Sequence, residues 1–210
     1  WSKEFKNIED RNSEPMYYEN LPFRFDTRGI IYNKRAHIYR VNIQTRKFTK
    51  LIDGDTRDII SIASLVEGER NIVLSFDQYN IKGTMLEEKI GAIEGSKIKE
   101  IYSKGSMGNL FYYEDALHAV GLRKRFDWPT NTSILKISNS GKVSYKFHSF
   151  DRNIVKAEVN ESILYFLYED SGKTLLRDAT NNIDLINSEV TIKDFAFNDE
   201  KTYVIANSFS

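Results

Sequence analysis

The chain contains no cysteine. That excludes disulfides, thiolate zinc sites and a thiol nucleophile, and it suits an intracellular, cytoplasmic protein. There is no excess of charge of either sign, because 30 Lys and Arg balance 30 Asp and Glu. This argues against a dedicated nucleic-acid binder or a basic membrane-surface domain. No apolar run approaches the roughly 18 residues of a membrane span. The N-terminus, WSKEFKNIED, is too polar for a signal peptide.

Catalytic signatures are missing as well. No Gly-x-Ser-x-Gly elbow occurs; the nearest text, Gly105-Ser106-Met107-Gly108, has the wrong spacing and is expected in a flexible link between strands. Neither phosphate-loop pattern is present, so no nucleotide cofactor is expected. The three histidines, His37, His118 and His148, are far apart in sequence, so neither a triad nor a metal site is expected.

What is present is a globular composition, 40% hydrophobic and 29% charged. The chain starts at Trp1 rather than at a methionine and stops at Ser210 just after the apolar TYVIA. Both ends suggest a piece of a longer protein.

The organisation is a repeat. Four stretches, HIYRVNIQTRKFTKL, KIGAIEGSKIKEI, SILKISNSGKVSYKF and TLLRDATNNIDL, each read as strand, polar turn, strand. Each is followed by a polar link and a second hairpin, with turns EGER, YEDA, VNES and FNDEK. The anchors between the two halves, Leu51, Ile101, Phe147 and Leu185, lie roughly 38 to 50 residues apart. Four short strands in that period make a β-propeller blade. NIVLSF, ILYFLY and TYVIA are nearly continuous apolar runs, as expected of strands buried between neighbouring blades. RKFTKL, KIKEIY and KVSYKF alternate polar with apolar, as expected of outer strands.

The expected fold is therefore all-β, a propeller of about four blades of four antiparallel strands. Residues 1–36 read as an excursion between blades, and 37–210 as a half blade, three full blades and another half blade. An arc of a larger ring, of about six or seven blades, is expected. Its bare end blades predict a homodimer or packing against further chain.

One stretch resembles a known family. Leu21-Pro22-Phe23-Arg24-Phe25-Asp26, Gly29, His37-Ile38-Tyr39 and Leu51-Ile52-Asp53-Gly54-Asp55 are similar to the propeller of prolyl oligopeptidase-family serine peptidases, in particular the acylaminoacyl-peptidase branch. The later blades match that family in rhythm only, and its SPDG turn is absent. The resemblance implies a noncatalytic domain that gates peptide access to an α/β-hydrolase domain, itself missing from this chain. A chain of that kind is no enzyme on its own.

No catalytic, cofactor or metal residue is assigned. Carboxylate pairs such as Glu87-Glu88, Glu114-Asp115 and Glu169-Asp170 fit turn positions better than a glycosidase site. The most distinctive loop is GLRKRFDWPTNTS, in which Arg123, Lys124, Arg125 and Trp128 form a candidate contact surface; Arg24 and Arg28 are further candidates. Two functional readings follow. The first is a noncatalytic propeller segment of a serine peptidase, whose substrate peptide is handled by the missing domain, with no nucleic-acid or membrane partner. The second is a free-standing propeller scaffold that binds a protein or peptide.

Overall fold

The computed structural model describes residues 24–25, 29–30, 35–52, 57–63, 72–79, 86–124, 130–147, 150–186, 189–198 and 201–208. Every regular element among them is a β-strand. A small ribbon, β1 (Arg24–Phe25) with β2 (Gly29–Ile30), precedes the repeat. Then comes a lone hairpin, β3 (Tyr39–Val41) and β4 (Phe48–Lys50).

Three four-stranded antiparallel meanders follow. The first blade is β5 (Arg57–Ala63), β6 (Val73–Tyr79), β7 (Leu86–Glu94) and β8 (Lys97–Tyr102). The second is β9 (Ser106–Tyr113), β10 (Ala116–Leu122), β11 (Ser133–Ile137) and β12 (Val143–Tyr145). The third is β13 (Asn153–Asn160), β14 (Ile163–Asp170), β15 (Lys173–Asp178) and β16 (Ile183–Asp184). A final hairpin, β17 (Val190–Asn198) with β18 (Lys201–Ser208), completes the chain of elements.

The tight hairpins are built without the usual Asn-Gly. Glu114 and Asp115 have φ of 48° and 54°, and Glu161 and Ser162 have 47° and 67°. Two successive left-handed residues make the turn whose twist matches that of the flanking strands. Ser171-Gly172 supplies a glycine at such a pair, and Gly95, with φ of 64°, sits in the turn between β7 and β8. Of the three acidic pairs singled out above, only Glu114-Asp115 forms a turn. Glu87 and Glu88 lie within β7, and Glu169 and Asp170 end β14.

The core is divided into four clusters, one per seam between consecutive units. Ile38 and Ile52 of the lone hairpin pack with Leu74 and Phe76 of the first blade. Val73, Ile90 and Ala92 meet Leu110, Ala119 and Leu135 of the second. Val120 and Ile134 meet Ile154, Leu164 and Phe166 of the third. Leu167 and Leu176 meet Ile192 and Phe195 of the last hairpin. Each blade thus buries both faces, which is why its second strand carries consecutive buried residues: Val73 to Phe76 are all buried. Among the described residues, the first and last hairpins do not pair with each other to close a ring.

Candidate interaction surface

The first strand of each unit carries a β-bulge at the same place. The bulged residues are Ile60, Asn109, Val155 and Lys193. A bulge sharpens local twist and re-aims side chains. Here it puts polar groups across the seams. Ser61 Oγ accepts from the Leu110 N–H at 3.1 Å. Asn109 Oδ1 accepts from the Ala157 N–H at 2.6 Å. Lys156 Nζ donates to Asp194 Oδ1 at 2.7 Å and lies 4.6 Å from the Phe195 ring centroid. That ammonium holds the Asp194 carboxyl below its ordinary range.

A second device ties third strands to the next first strand. Asp58 Oδ1 accepts from the Ala36 N–H at 2.7 Å, and Ile59 N–H returns to Ala36 O at 3.1 Å. Asn153 Oδ1 accepts from Thr132 N–H at 3.0 Å, and Ile154 N–H returns to Thr132 O at 3.1 Å. Thr191 Oγ1 accepts from Thr174 N–H at 2.8 Å. The sequence reading missed these clips. Their signal is a polar residue just before an isoleucine near the start of three of the first strands: Asp58-Ile59, Asn153-Ile154 and Thr191-Ile192.

The clip at Asp58 also fixes the phase of the lone hairpin. Ala36 stands to β3 as Thr132 stands to β11. The hairpin β3–β4 is therefore the third and fourth strand of a blade whose first two strands are absent from the described residues. The hairpin β17–β18 is the first two strands of a blade, since it carries the bulge of β5, β9 and β13.

The sequence matches no family model and no curated protein. Among solved structures it is similar to the acylaminoacyl peptidase of Pyrococcus horikoshii, with a TM-score of 0.69 and 13% identity over 92% of this chain and 31% of that one. The arc is a segment of a β-propeller. A second neighbour is the β-propeller domain of the trilobed protease of Pyrococcus furiosus, described as having an open velcro topology. Here the TM-score is 0.59 and the identity 12%, over 81% of this chain and 54% of that one. The propeller segment thus spans about a third of the first relative and about half of the second. The resemblance noted in the sequence points to the same group of proteases.

Of the candidate contact residues, Arg24, Arg123 and Lys124 lie within the described residues. Arg123 is part of the blade. Its carbonyl accepts from the Tyr102 hydroxyl, and its guanidinium lies 5.4 Å from the Tyr145 ring centroid. Burial pushes the Tyr102 phenol up. Lys124 is exposed. Arg24 pairs through its backbone with Ile30, while Arg28, Arg125 and Trp128 lie outside the described residues. Ser106, expected in a flexible link, opens β9 instead. Gly105 is buried beside it, where a Cβ would come within 2.4 Å of Leu122 O.

Among the described residues, no three His, Asp or Glu gather as a metal cluster. A cleft of about 400 Å³ lies beside the β14–β15 turn. Arg152, Glu169, Asp170 and Lys173 line it, and their charges offset. His118 is fully buried on β10, its Nδ1 3.0 Å from Ala116 O and its ring stacked on Phe111 at 5.6 Å. His148 lies outside the described residues. No described helix is long and apolar enough to cross a membrane.

One expectation is corrected. TYVIA reads in sequence as a strand buried on both faces, like ILYFLY. In the structure Tyr203, Val204 and Ile205 are 54%, 38% and 63% exposed, whereas Leu164, Phe166 and Leu167 are buried. The difference is one of neighbours. β14 has a third strand and a following unit beside it; β18 has neither among the described residues.

Proposed function

We propose that this chain is a noncatalytic propeller segment of a larger serine-peptidase-like protein, and that it forms part of the wall through which a peptide reaches an α/β-hydrolase domain. The observation that carries the reading is the phase of the arc. It aligns almost whole with part of an acylaminoacyl peptidase, and its first and last described hairpins each form half a blade. A rigid wall suits a gate, because admission then depends on aperture or on domain opening rather than on side-chain chemistry. Each seam here is held by its own apolar core and by hydrogen bonds across it.

The proposed partner is a peptide, met together with the hydrolase domain. Balanced charge supports neither a nucleic acid nor a membrane surface as partner. The absence of cysteine supports a cytoplasmic setting.

Two measurements test the proposal. The chain alone is incubated with acyl-peptide and prolyl anilide substrates; no turnover is expected, and turnover that survives repurification overturns it. The reading frame is then followed beyond Ser210 and before Trp1. A hydrolase-sized stretch with a Gly-x-Ser-x-Gly elbow is expected. A frame without one favours a free-standing scaffold.

A further inference from the structure

The first strand of each blade is the free edge of its sheet. It also packs against the first strand of the next blade, β5 on β9 and β9 on β13, whereas β8, β12 and β16 pack chiefly on the third strand of their own blade. The first strands therefore converge on the inner side of the arc, and the fourth strands fan outward. The four bulges fall on this inner side. We infer that the bulge residues Ile60, Val155 and Lys193 form a peptide-contacting row on the inner wall, which prefers an extended peptide with apolar side chains and a carboxylate. The inference rests on the reading of the arc as a peptide-facing wall and goes beyond it: among peptides that the aperture admits, these side chains set a preference.

Val155 carries the argument, since its blade has a described unit on either side. Along β13, Ile154 and Ala157 enter the seam with the second blade, and Lys156 crosses the other seam to Asp194. Val155 stands between them, pairs with no residue of β14 and belongs to neither seam core. It is 48% exposed. A missing neighbour does not account for that exposure, because both seams are made. The bulge turns the side chain off both blade faces, toward the space along which the first strands converge. Ile60 stands at the same place in the first blade, unpaired with β6, outside the core clusters and 53% exposed.

The charges on the wall leave one cation over. Lys156 takes up both nearby carboxylates, Asp194 at 2.7 Å and Glu158 at 3.4 Å. Lys193, the bulge residue of β17, is exposed and has no ion pair among the described residues. Asn109, at the bulge of the second blade, is committed to the Ala157 N–H. The row thus reads apolar, amide, apolar, cation along the arc. An exposed apolar side chain gains by being covered, and an unpaired ammonium favours a carboxylate.

An extended peptide is the occupant that this spacing selects. The row takes one side chain from each of four successive first strands, so its contacts are set apart by blades and do not merge into a pocket. A chain laid across them meets them one after another with side chains spaced along an extended backbone. A folded partner, a second copy included, needs a contiguous apolar patch, which two separate residues do not supply.

The test uses the whole chain with its Ile and Val methyls labelled for NMR. The probe is a short unstructured peptide of Leu and Ser with a blocked N-terminus and a free C-terminal carboxylate. Its C-terminal amide, and a version in which Lys replaces Ser, are the comparisons. The Val155 and Ile60 methyl signals should shift with the first peptide, and the amide should bind about two- to fivefold more weakly. The Lys version should also bind more weakly than the first. Val155→Ser changes an exposed residue, so it should keep the β-sheet circular dichroism and weaken binding about fivefold. Lys193→Gln should remove the preference for the carboxylate and leave the affinity for the amide unchanged. Shifts confined to other methyls, no binding at millimolar peptide, or a carboxylate preference that survives Lys193→Gln overturns the inference. Overhauser contacts in the free chain, from the Val155 methyls to residues outside its own and the adjacent units, also overturn it, because the chain then fills the wall itself. Binding is read on this chain alone, whereas the peptidase reading is decided by the reading frame and by turnover, so that either can fail without the other.

Discussion

Asn109 Oδ1 accepts the Ala157 N–H at 2.6 Å, and Asn109 is itself the bulged residue of β9, with φ of 41°. One side chain therefore serves two needs. Asparagine tolerates the left-handed conformation better than most residues, and its amide oxygen satisfies a donor in the next blade. Asn109→Ala should destabilise the chain by about 2–3 kcal/mol, combining a left-handed penalty with an unpaired seam N–H. Asn109→Gly relieves the backbone and should cost about 1 kcal/mol less. Urea denaturation of the three proteins checks this. Equal midpoints for Ala and wild type would remove Asn109 from the seam.

His118 should make the seam between the second and third blades acid-sensitive. Burial lowers its pKa, and Lys146 and Lys136 act in the same direction, while the Ala116 carbonyl and Glu114 oppose them. Nε2 has no hydrogen-bond partner. The unfolded chain therefore takes up a proton at higher pH than the folded one. This contribution is fully present above the unfolded value, about 6.5, and is lost as pH falls from there through the lowered folded value. His118→Phe should flatten the pH dependence of the urea midpoint between about pH 7 and pH 5. An unchanged slope in that variant would assign the sensitivity to another group.

Gly121 lies in β10 opposite Met107, where a Cβ would sit 2.1 Å from Ser106 O. The neighbour is backbone of the paired strand and cannot turn aside as a side-chain end can. Gly121→Ala should cost about 1–3 kcal/mol by forcing β9 and β10 apart. Gly108, on β9, has open space at its Cβ position, so Gly108→Ala is the control and should change the thermal midpoint little. Similar midpoint shifts for the two substitutions would contradict the close approach.

The Lys156–Asp194 pair holds the last hairpin to the third blade, but both partners are partly exposed, at 32% and 55%. Asp194→Asn should therefore cost at most about 1 kcal/mol, and less at high salt. The Asp194 carboxyl is held low first by Lys156 and then by the Phe195 N–H. Its contribution is present above the unfolded carboxylate value and is lost as pH falls through the lowered folded one. Hydrogen exchange on β17 should speed up selectively in the variant. Uniform acceleration over all blades would argue against a local role.

Much of the architecture is legible in the residues. The hairpin halves, the anchors Leu51, Ile101, Phe147 and Leu185, and the phase of half blade, three blades, half blade all rest on local patterns of apolar and turn residues. Of the contact loop from Arg123 to Trp128, Arg123 and Lys124 lie within the described residues. Charge and aromatic content do not reveal that the Arg123 guanidinium settles over Tyr145. The acidic pairs were hard to place for a similar reason: Glu87 and Glu88 lie in a strand that pairs on both sides, although acidic residues favour turns.

Local order along this chain, strand by strand, follows from the sequence because a strand's polarity pattern records which faces meet water. The seams do not follow from it. Asp58, Asn109 and Asn153 are ordinary polar residues until a neighbouring unit places an N–H within reach. TYVIA and ILYFLY are alike as text, yet one is bare and the other buried. Burial belongs to a pair of surfaces, and a single strand encodes only its own side of that pair.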